Sequence, residues 1–414
     1  MDLTWSDRER DFRTEARAWL TENLAAWHDR HGGPDAIASG DTRTGFAQHL
    51  DWERTLHAGR WAAVSWPEEL GGRGASLWEW LIFEDEYHRS GCPPRITQNG
   101  VFLLAPSVFE FGTPAQQAHI LPRIAAAEDL WCQGWSEPDA GSDLAGIRSR
   151  ARRVDGGWVL DGQKTWTTRG AFCTHLFGLF RTDPDSERHR GLSYLLVPLD
   201  APGVTVRGFG RLDGDEGFAE VFFDEAFVAD DALPGGVLLG EEGQGWAVAM
   251  ATTGSERGLT LRSPGRFLAT AGRLVELYRA DPRPRLRDRV VDAWMRAEAY
   301  DLFTLETVTR LAGGAVMGAD SSINKIWWSE LDCDLHEIAL ELLGPDAERE
   351  GPWSKGWQFA LAGPIYAGTN EIQRNIAAER VLGLPKASRP PGTSSTSGTS
   401  SAPSASSASS TSGR

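Results

Sequence analysis

RARRVDGGWVLDGQKTWTT, residues 150–168, sets two Asp-Gly turn signals among alternating apolar positions. It reads as a strand, a turn at Asp155-Gly156-Gly157, a second strand, a second turn at Asp161-Gly162, and a third strand. THLFGLFRT (174–182), GLSYLLVPLD (191–200), GVTVRGFG (203–210) and AEVFFDEAFV (219–228) continue as strand-like runs. A β-domain of about a hundred residues, a small barrel or sandwich, is therefore expected over 131–240.

On either side the period changes to that of a helix. FRTEARAWLTENL and SLWEWLIFEDEYHRSG space their apolar residues at i, i+3 and i+4, with stops at Gly71-Gly72 and Pro93-Pro94. Residues 1–130 are thus read as a helical domain. RDRVVDAWMRAEAYDLFTLETVTRLA and SSINKIWWSELDCDLHEIALELLG make 241–386 a second helical region. The fold class is α+β multidomain: helices, a β-layer, then helices, an order that leaves a cleft where the layers meet. Residues 387–414 are Ser/Thr/Gly/Ala/Pro-rich without a large apolar side chain, and are expected to be disordered.

The 414 residues are enough for several packed layers, and the net charge of −16 argues against a nucleic-acid partner. An anionic ligand remains compatible with local cations and helix N-termini. There is no apolar run long enough to span a bilayer and no signal-peptide core near the start, so a cytoplasmic location is expected. The four cysteines stand apart without a C-x-x-C pair and read as free thiols. Most of the 18 tryptophans are expected to be core bulk. His28 and His31 lack a third ligand nearby, so no metal site is expected, and nucleophile-elbow, P-loop and dinucleotide signatures are missing.

Three segments carry more. They are QGWSEPDAGSD (133–143) with KTWTT (164–168), LGEEGQGW (239–246) leading to Ser255-Glu256-Arg257, and IYAGTNEIQR (365–374) with ERVLG (379–383). With WPEELGG (66–72) and GTPAQQ (112–117) they follow one order, and the chain from about residue 5 to 386 resembles the acyl-CoA dehydrogenase family. The resemblance implies an N-terminal helical domain, a central β-domain and a C-terminal four-helix bundle, with FAD in the cleft among them. An isoalloxazine ring needs hydrogen-bond partners at its rim and a flat apolar wall. Ser136 and Thr168 offer hydroxyls, and Trp135 and Trp166 offer planar surface. By resemblance Ser136, Trp166 and Thr168 line the flavin, with Gln133 and Trp135 beside them. Ser142, with Gly141, would face the thioester arm, and Tyr366 and Gly368 the substrate. Thr369 and Glu371 match positions near the FAD diphosphate and adenosine.

Taking a proton from the carbon next to a thioester carbonyl requires stabilising the enolate oxygen as it forms. In the family one donor is the ribityl 2′-hydroxyl of FAD and the other a backbone N–H, here that of Ala367. Many relatives carry the catalytic glutamate at this same position. With alanine there, either catalysis is lost or the base lies elsewhere. Some family members place it on the helix after the Gly-Gln-Gly-Trp segment, directly before an arginine, and Glu256-Arg257 match that arrangement. Arg257 then positions the site or binds an anion, or else makes a plain salt bridge. Two further segments depart from the family: residues 282–289, where a R-x-x-F-G…Q stretch is usual, and 342–347, where Q-x-x-G-G-x-G is usual. Arg285 and Arg287 remain as candidates for a diphosphate contact.

The leading reading is an FAD enzyme that dehydrogenates an acyl-CoA or acyl-carrier-protein thioester to the 2-enoyl thioester. In it Glu256 removes the pro-R α-proton, and the electrons pass on to an electron-transfer flavoprotein. The assembly would be a homo-oligomer (dimer or tetramer) or a heteromer with a related subunit. Two alternatives stay open: a non-catalytic or half-site subunit of a heteromeric dehydrogenase, and an oxygen-using flavin enzyme on the same scaffold. Because residues 387–414 hold no core-forming side chain, removing them should leave flavin content and melting temperature unchanged. A melting temperature several degrees lower for the truncated protein would show that the tail docks.

Overall fold

In the computed structural model the described residues are 4–257, 263–315 and 318–386, with only the backbone described at 254–257. The side chains of Glu256 and Arg257, and the whole 387–414 tail, lie outside them. Helix α1 (Asp7–Arg30) starts at a capping box in which Ser6 and Glu9 satisfy each other's backbone N–H groups. Its buried stripe Phe12, Ala16, Leu20, Leu24 repeats every fourth residue. Helix α2 (Arg43–Ala58) is capped by Thr42, and α3 (Leu77–Arg89) by a Ser76/Glu79 box. These helices share a core rich in indoles, with Trp27, Trp52 and Trp61 almost wholly buried. Arg17 ties α1 to α3 by gripping Glu86 through two 2.8 Å bonds. A π-helical turn, Asn99–Leu104, then leads into α4 (Ala105–Phe111), followed by α5 (Pro114–Ala125).

The β-region forms one connected eight-stranded sheet. Its strands are β1 (Trp131–Gly134), β2 (Arg150–Val154), β3 (Gly157–Thr168), β4 (His175–Arg181), β5 (Leu192–Pro198), β6 (Val204–Phe209), β7 (Phe218–Ala229) and β8 (Leu238–Leu239). The hydrogen-bonded order is β6-β7-β3-β2-β4-β5-β8, with β1 added parallel to β4. Asp155-Gly156 is the expected hairpin turn, with Val154 paired to Gly157 and Gly156 at φ +78°. The second expected turn is a correction. Asp161-Gly162 does not reverse the chain; β3 runs on through it, and the pairing with β7 slips between Leu160 and Gly162. The same φ > 0 preference that suits glycine to a turn here serves a bulge, with Gly162 at φ +136°. A second slip falls between Lys164 and Thr167.

Helices α6 (Gly245–Arg257), α7 (Pro264–Ala280), α8 (Arg287–Ala312) and α9 (Asp320–Leu343) make the second helical region, with short α10 (Pro352–Ala360) and α11 (Asn370–Ile376) after them. Their core is built from Phe267, Tyr300, Trp328 and the aliphatic faces of α7 to α9. A separate apolar cluster crosses from Val108 and Ile124 through the sheet to Val248 and Ala249 of α6. The sheet is therefore packed on both helical regions. No helix among the described residues is long and apolar enough to cross a membrane.

A Cβ on Gly162 would sit 2.4 Å from Ser149 Oγ, at a backbone angle that L side chains avoid. Gly162→Ala should destabilise the fold by about 1–3 kcal/mol. Urea unfolding measures it, and an unchanged midpoint would mean that β3 holds no bulge at this point.

Candidate active site at the sheet edge

The two parts of the first motif segment, 133–143 and 164–168, are laid side by side by the sheet. Thr165 N–H donates to the carbonyl of Ser136 at 2.9 Å, which sets the end of the β1 segment against the second half of β3. Below that contact the Lys164 ammonium is wholly buried and lies 2.7 Å from both Glu137 Oε1 and the Leu179 carbonyl. Glu137 also accepts from the backbone N–H groups of Arg148 and Ser149, at 2.6 and 2.9 Å. Burial pulls the lysine down to about 8 against the raising influence of Glu137. Burial acts to raise Glu137, but the charge and bond of Lys164 outweigh it and hold the carboxyl below its ordinary value.

Trp166 projects from this frame. It sits at the second slip of β3 with φ +59° and is 61% exposed, its ring met edge-on by Phe209 at 5.4 Å and Phe218 at 5.6 Å. Two aromatic edges thus brace an indole in a left-handed conformation, where a bulky residue pays a steric cost unless its surroundings hold it. Ser136 and Thr168 are half-buried beside it, and Gly141 and Ser142 are exposed beyond the tight Glu137–Ala140 turn. Trp135, by contrast, points inward: it is 7% exposed and packs edge-on to Tyr194. Its planar surface is core. The side-chain nitrogens of Gln133 and Trp135 are buried without a hydrogen-bond partner among the described residues.

The third segment follows α10. Tyr366 leans on Trp328 at 5.8 Å, and Ala367 and Gly368 both take positive φ, +56° and +81°. The wholly buried Gln373 donates from Nε2 to both of their carbonyls, at 2.8 and 3.3 Å. Thr369 caps α11 through its hydroxyl, and Asn370 accepts from the buried Lys325 at 2.7 Å and from Ser329 at 3.1 Å. Glu371 is exposed at the start of α11. The turn is thereby riveted to α9. The hairpin between β6 and β7 joins it to the sheet side. Its Asp215 meets Lys355 of α10 at 3.2 Å, and its Arg211 lies over Phe359, while its flanking Phe209 and Phe218 touch Trp166.

Arg285 and Arg287 are not brought to this place. They are exposed at the start of α8, where neighbouring Arg283 donates to the Glu341 carbonyl near the end of α9. The Asn370 rivet lies at Ser329, twelve residues earlier, or about 18 Å along the helix axis. Within one chain these arginines stand beside the last turns of α9, while the Thr369 turn is fastened to its first half. Sequence reasoning missed Glu137 and Lys164 as a pair, as well as Asn370, Gln373, Asp41 and Arg169. The signal for the first two was a charged residue on each side of a flavin-type motif; for the others only the tertiary fold reveals a partner.

An exposed planar ring with two half-buried hydroxyls nearby, at one edge of the sheet, offers the kinds of group that a flavin ring calls for. Three family profiles cover nearly the whole chain: "Acyl-CoA dehydrogenase, N-terminal domain" over 6–128, "middle domain" over 132–226 and "C-terminal domain" over 243–382. The chain is 40% identical over 393 residues to acyl-CoA dehydrogenase IpdE1 of Mycobacterium tuberculosis, spanning 92% of this chain and 98% of that relative. Among solved structures it is similar to the Tcur3481-Tcur3483 steroid ACAD, with TM-score 0.81, 25% identity, and 94% and 100% of the two chains covered. It is likewise similar to the ChsE4-ChsE5 complex of M. tuberculosis, with TM-score 0.77, 26% identity and the same coverage. The helical, sheet and helical regions and these matches together make the chain a member of the acyl-CoA dehydrogenase family of FAD-dependent oxidoreductases.

Proposed function

We propose that the protein dehydrogenates an acyl-CoA thioester across Cα–Cβ with Glu256 as the α-proton base. The observation that carries this reading is the turn at Tyr366-Ala367-Gly368. Its left-handed Ala367 is kept in place by the buried Gln373, and it bears a methyl where many family members bear the base. Position 256 stands on α6, one helical turn past Thr252, which is anchored to Ser107 at 2.7 Å. A carboxylate on α6 and a bare turn at 367 divide between them what one residue does in other relatives.

FAD, when bound, supplies the acceptor for the β-hydride. Ser136, Trp166 and Thr168 would hold its ring, with Gln133 beside them. Trp135 would support that wall from the core. Ser142 and Gly141 would receive the thioester arm, and Tyr366 and Gly368 would border the reacting carbons. Backbone N–H of Ala367 would donate to the thioester carbonyl, so that charge developing on its oxygen is met as the α-proton leaves for Glu256. Arg257 would orient it. Thr369 and Glu371 are assigned to the distal end of the cofactor, and an electron-transfer flavoprotein is the proposed acceptor. We place the enzyme in the cytoplasm.

A heteromeric assembly is the second reading, favoured by two observations. Both structural relatives above are named as pairs of gene products. Arg285 and Arg287 lie far from their own chain's Thr369 turn, where they would suit a neighbour's cofactor rather than their own. In that assembly this chain still supplies the base.

Glu256→Gln should keep flavin and thioester binding and slow anaerobic flavin bleaching by on the order of a hundredfold or more. Adding Ala367→Glu to that variant should restore part of the rate; alone, the same change should crowd the site and weaken substrate binding. Stopped-flow bleaching, with a panel of acyl-CoAs that includes a steroid side-chain thioester, measures all three. A wild-type rate for Glu256→Gln removes the base assignment, and a chain that binds FAD only with a second subunit supports the heteromer.

A further inference from the structure

The strand end that carries Thr168 is gripped by the N-terminal helical region at two points. Asn99, in the π-helical turn, directs Nδ2 to the Thr168 carbonyl in a long 3.5 Å contact. π-helical turns of this length are uncommon and concentrate at functional sites. The next residue, Arg169, is the stronger grip. It is only 8% exposed and left-handed at φ +56°, with its N–H on the Gly217 carbonyl at 2.9 Å and its Nε 2.6 Å from Asp41 Oδ1.

Asp41 precedes the cap of α2 and is itself 6% exposed. Its second oxygen is bound by Arg211, which also holds Asp213 at 2.8 Å. Burial acts to raise the Asp41 carboxyl, yet the two guanidinium groups hold it below the ordinary carboxylate range. The chain of charges continues through Asp215 to Lys355 of α10. One buried carboxylate of the first helical region therefore joins the end of β3 to the hairpin that meets the second helical region. Arg169 Nη1 is also buried, with no acceptor among the described residues.

A buried ion pair is a weak means of stabilising a fold, since apolar residues of the same volume do as well or better. It is, however, directional, and breaking one partner leaves a stranded charge. Here the direction is imposed on the residue adjoining a flavin-lining hydroxyl, at a peptide that is already conformationally constrained.

We propose that Arg169 is a positioning residue of the flavin site: anchored on Asp41, and aided by Asn99, it fixes the Thr168 peptide so that the N-terminal helical region sets how the Thr168 hydroxyl meets the cofactor. This rests on the reading of Thr168 as a flavin-lining residue, and the test separates the two. Holoenzyme carrying Thr168→Ala, Asp41→Asn, Arg169→Lys or Asn99→Leu is compared with the double variant Asp41→Asn/Thr168→Ala. The readouts are the FAD dissociation constant after deflavination, the visible absorbance envelope of the bound flavin, and the melting temperature.

Thr168→Ala should weaken FAD binding about three- to tenfold, as for one lost hydrogen bond, and shift the envelope. Asp41→Asn and Arg169→Lys should reproduce a large part of both changes, and Asn99→Leu a smaller part. In the Thr168→Ala background Asp41→Asn should add less than about twofold, because its effect runs through that hydroxyl. Effects that multiply in the double variant, or single variants with the wild-type constant and envelope, overturn the proposal and leave a structural clasp. If Asp41→Asn does not fold, Arg169→Lys and Asn99→Leu carry the same comparison in the Thr168→Ala background. If Thr168→Ala itself leaves FAD binding and envelope unchanged, the flavin reading of that residue fails instead.

Discussion

A wholly buried lysine ammonium holds this edge of the sheet in shape. Lys164 and Glu137 belong to different segments, 27 residues apart, and their 2.7 Å contact is the point where those segments are made to coincide. Two motif side chains adjoin it. Ser136 precedes Glu137 and Trp166 follows Lys164 by two, so the pair sets the spacing between hydroxyl and indole. Burial pulls the lysine to about 8, which shows how unfavourable the position is for a lone charge. Removing one partner from such a pair costs about 3–5 kcal/mol, whereas replacing both by matched apolar groups can cost nothing. The contact is therefore better understood as fixing a register than as adding stability. Glu137 reinforces it by accepting from Arg148 and Ser149, so the strand entering β2 is aligned by the same carboxylate.

How much of this was legible in the chain follows from the range of each interaction. Helices α1 and α3 could be read because their signals are local: apolar residues spaced at i, i+3 and i+4, with glycine and proline stops. Most strands could be read for the same reason. Asp161-Gly162 could not be told from a turn, because a turn and a bulge both ask for φ > 0 at glycine, and only the pairing of β3 with β7 decides between them. Trp135 shows the same limit for side chains. Its neighbour Ser136 is half-buried at the sheet edge while the indole itself packs against Tyr194, an alternation that depends on which face of the segment meets the core. The Asp41–Arg169–Arg211 cluster was invisible, since Asp41 and Arg169 are 128 residues apart and each alone reads as a solvated charge.

Helix α9 divides the second helical region into two ends with different work. Its first half carries Lys325 and Ser329, which hold Asn370 and hence the turn at 366–369. Its last turns meet Arg283 and Arg289 beside α8. A rigid spacer of this length keeps Arg285 and Arg287 from folding back onto their own chain's turn.

Ala367 shows how the direction of a backbone N–H can be fixed without any help from the side chain it belongs to. A non-glycine residue at φ +56° carries a penalty of about 1–2 kcal/mol, and here the bonds around the turn offset it. Gln373 holds the two carbonyls, Thr369 caps the helix that follows, and Asn370 fastens the whole to α9. None of these bonds involves the Ala367 side chain. The direction of a backbone N–H in such a turn is thus independent of whether its Cβ bears a carboxylate or a hydrogen. Stabilising an oxyanion is a property of the backbone, while proton removal is a property of one side chain. The second can be handed to any wall that faces the α-carbon, provided the first is kept, and a fold that rivets this turn so thoroughly is free to make that exchange.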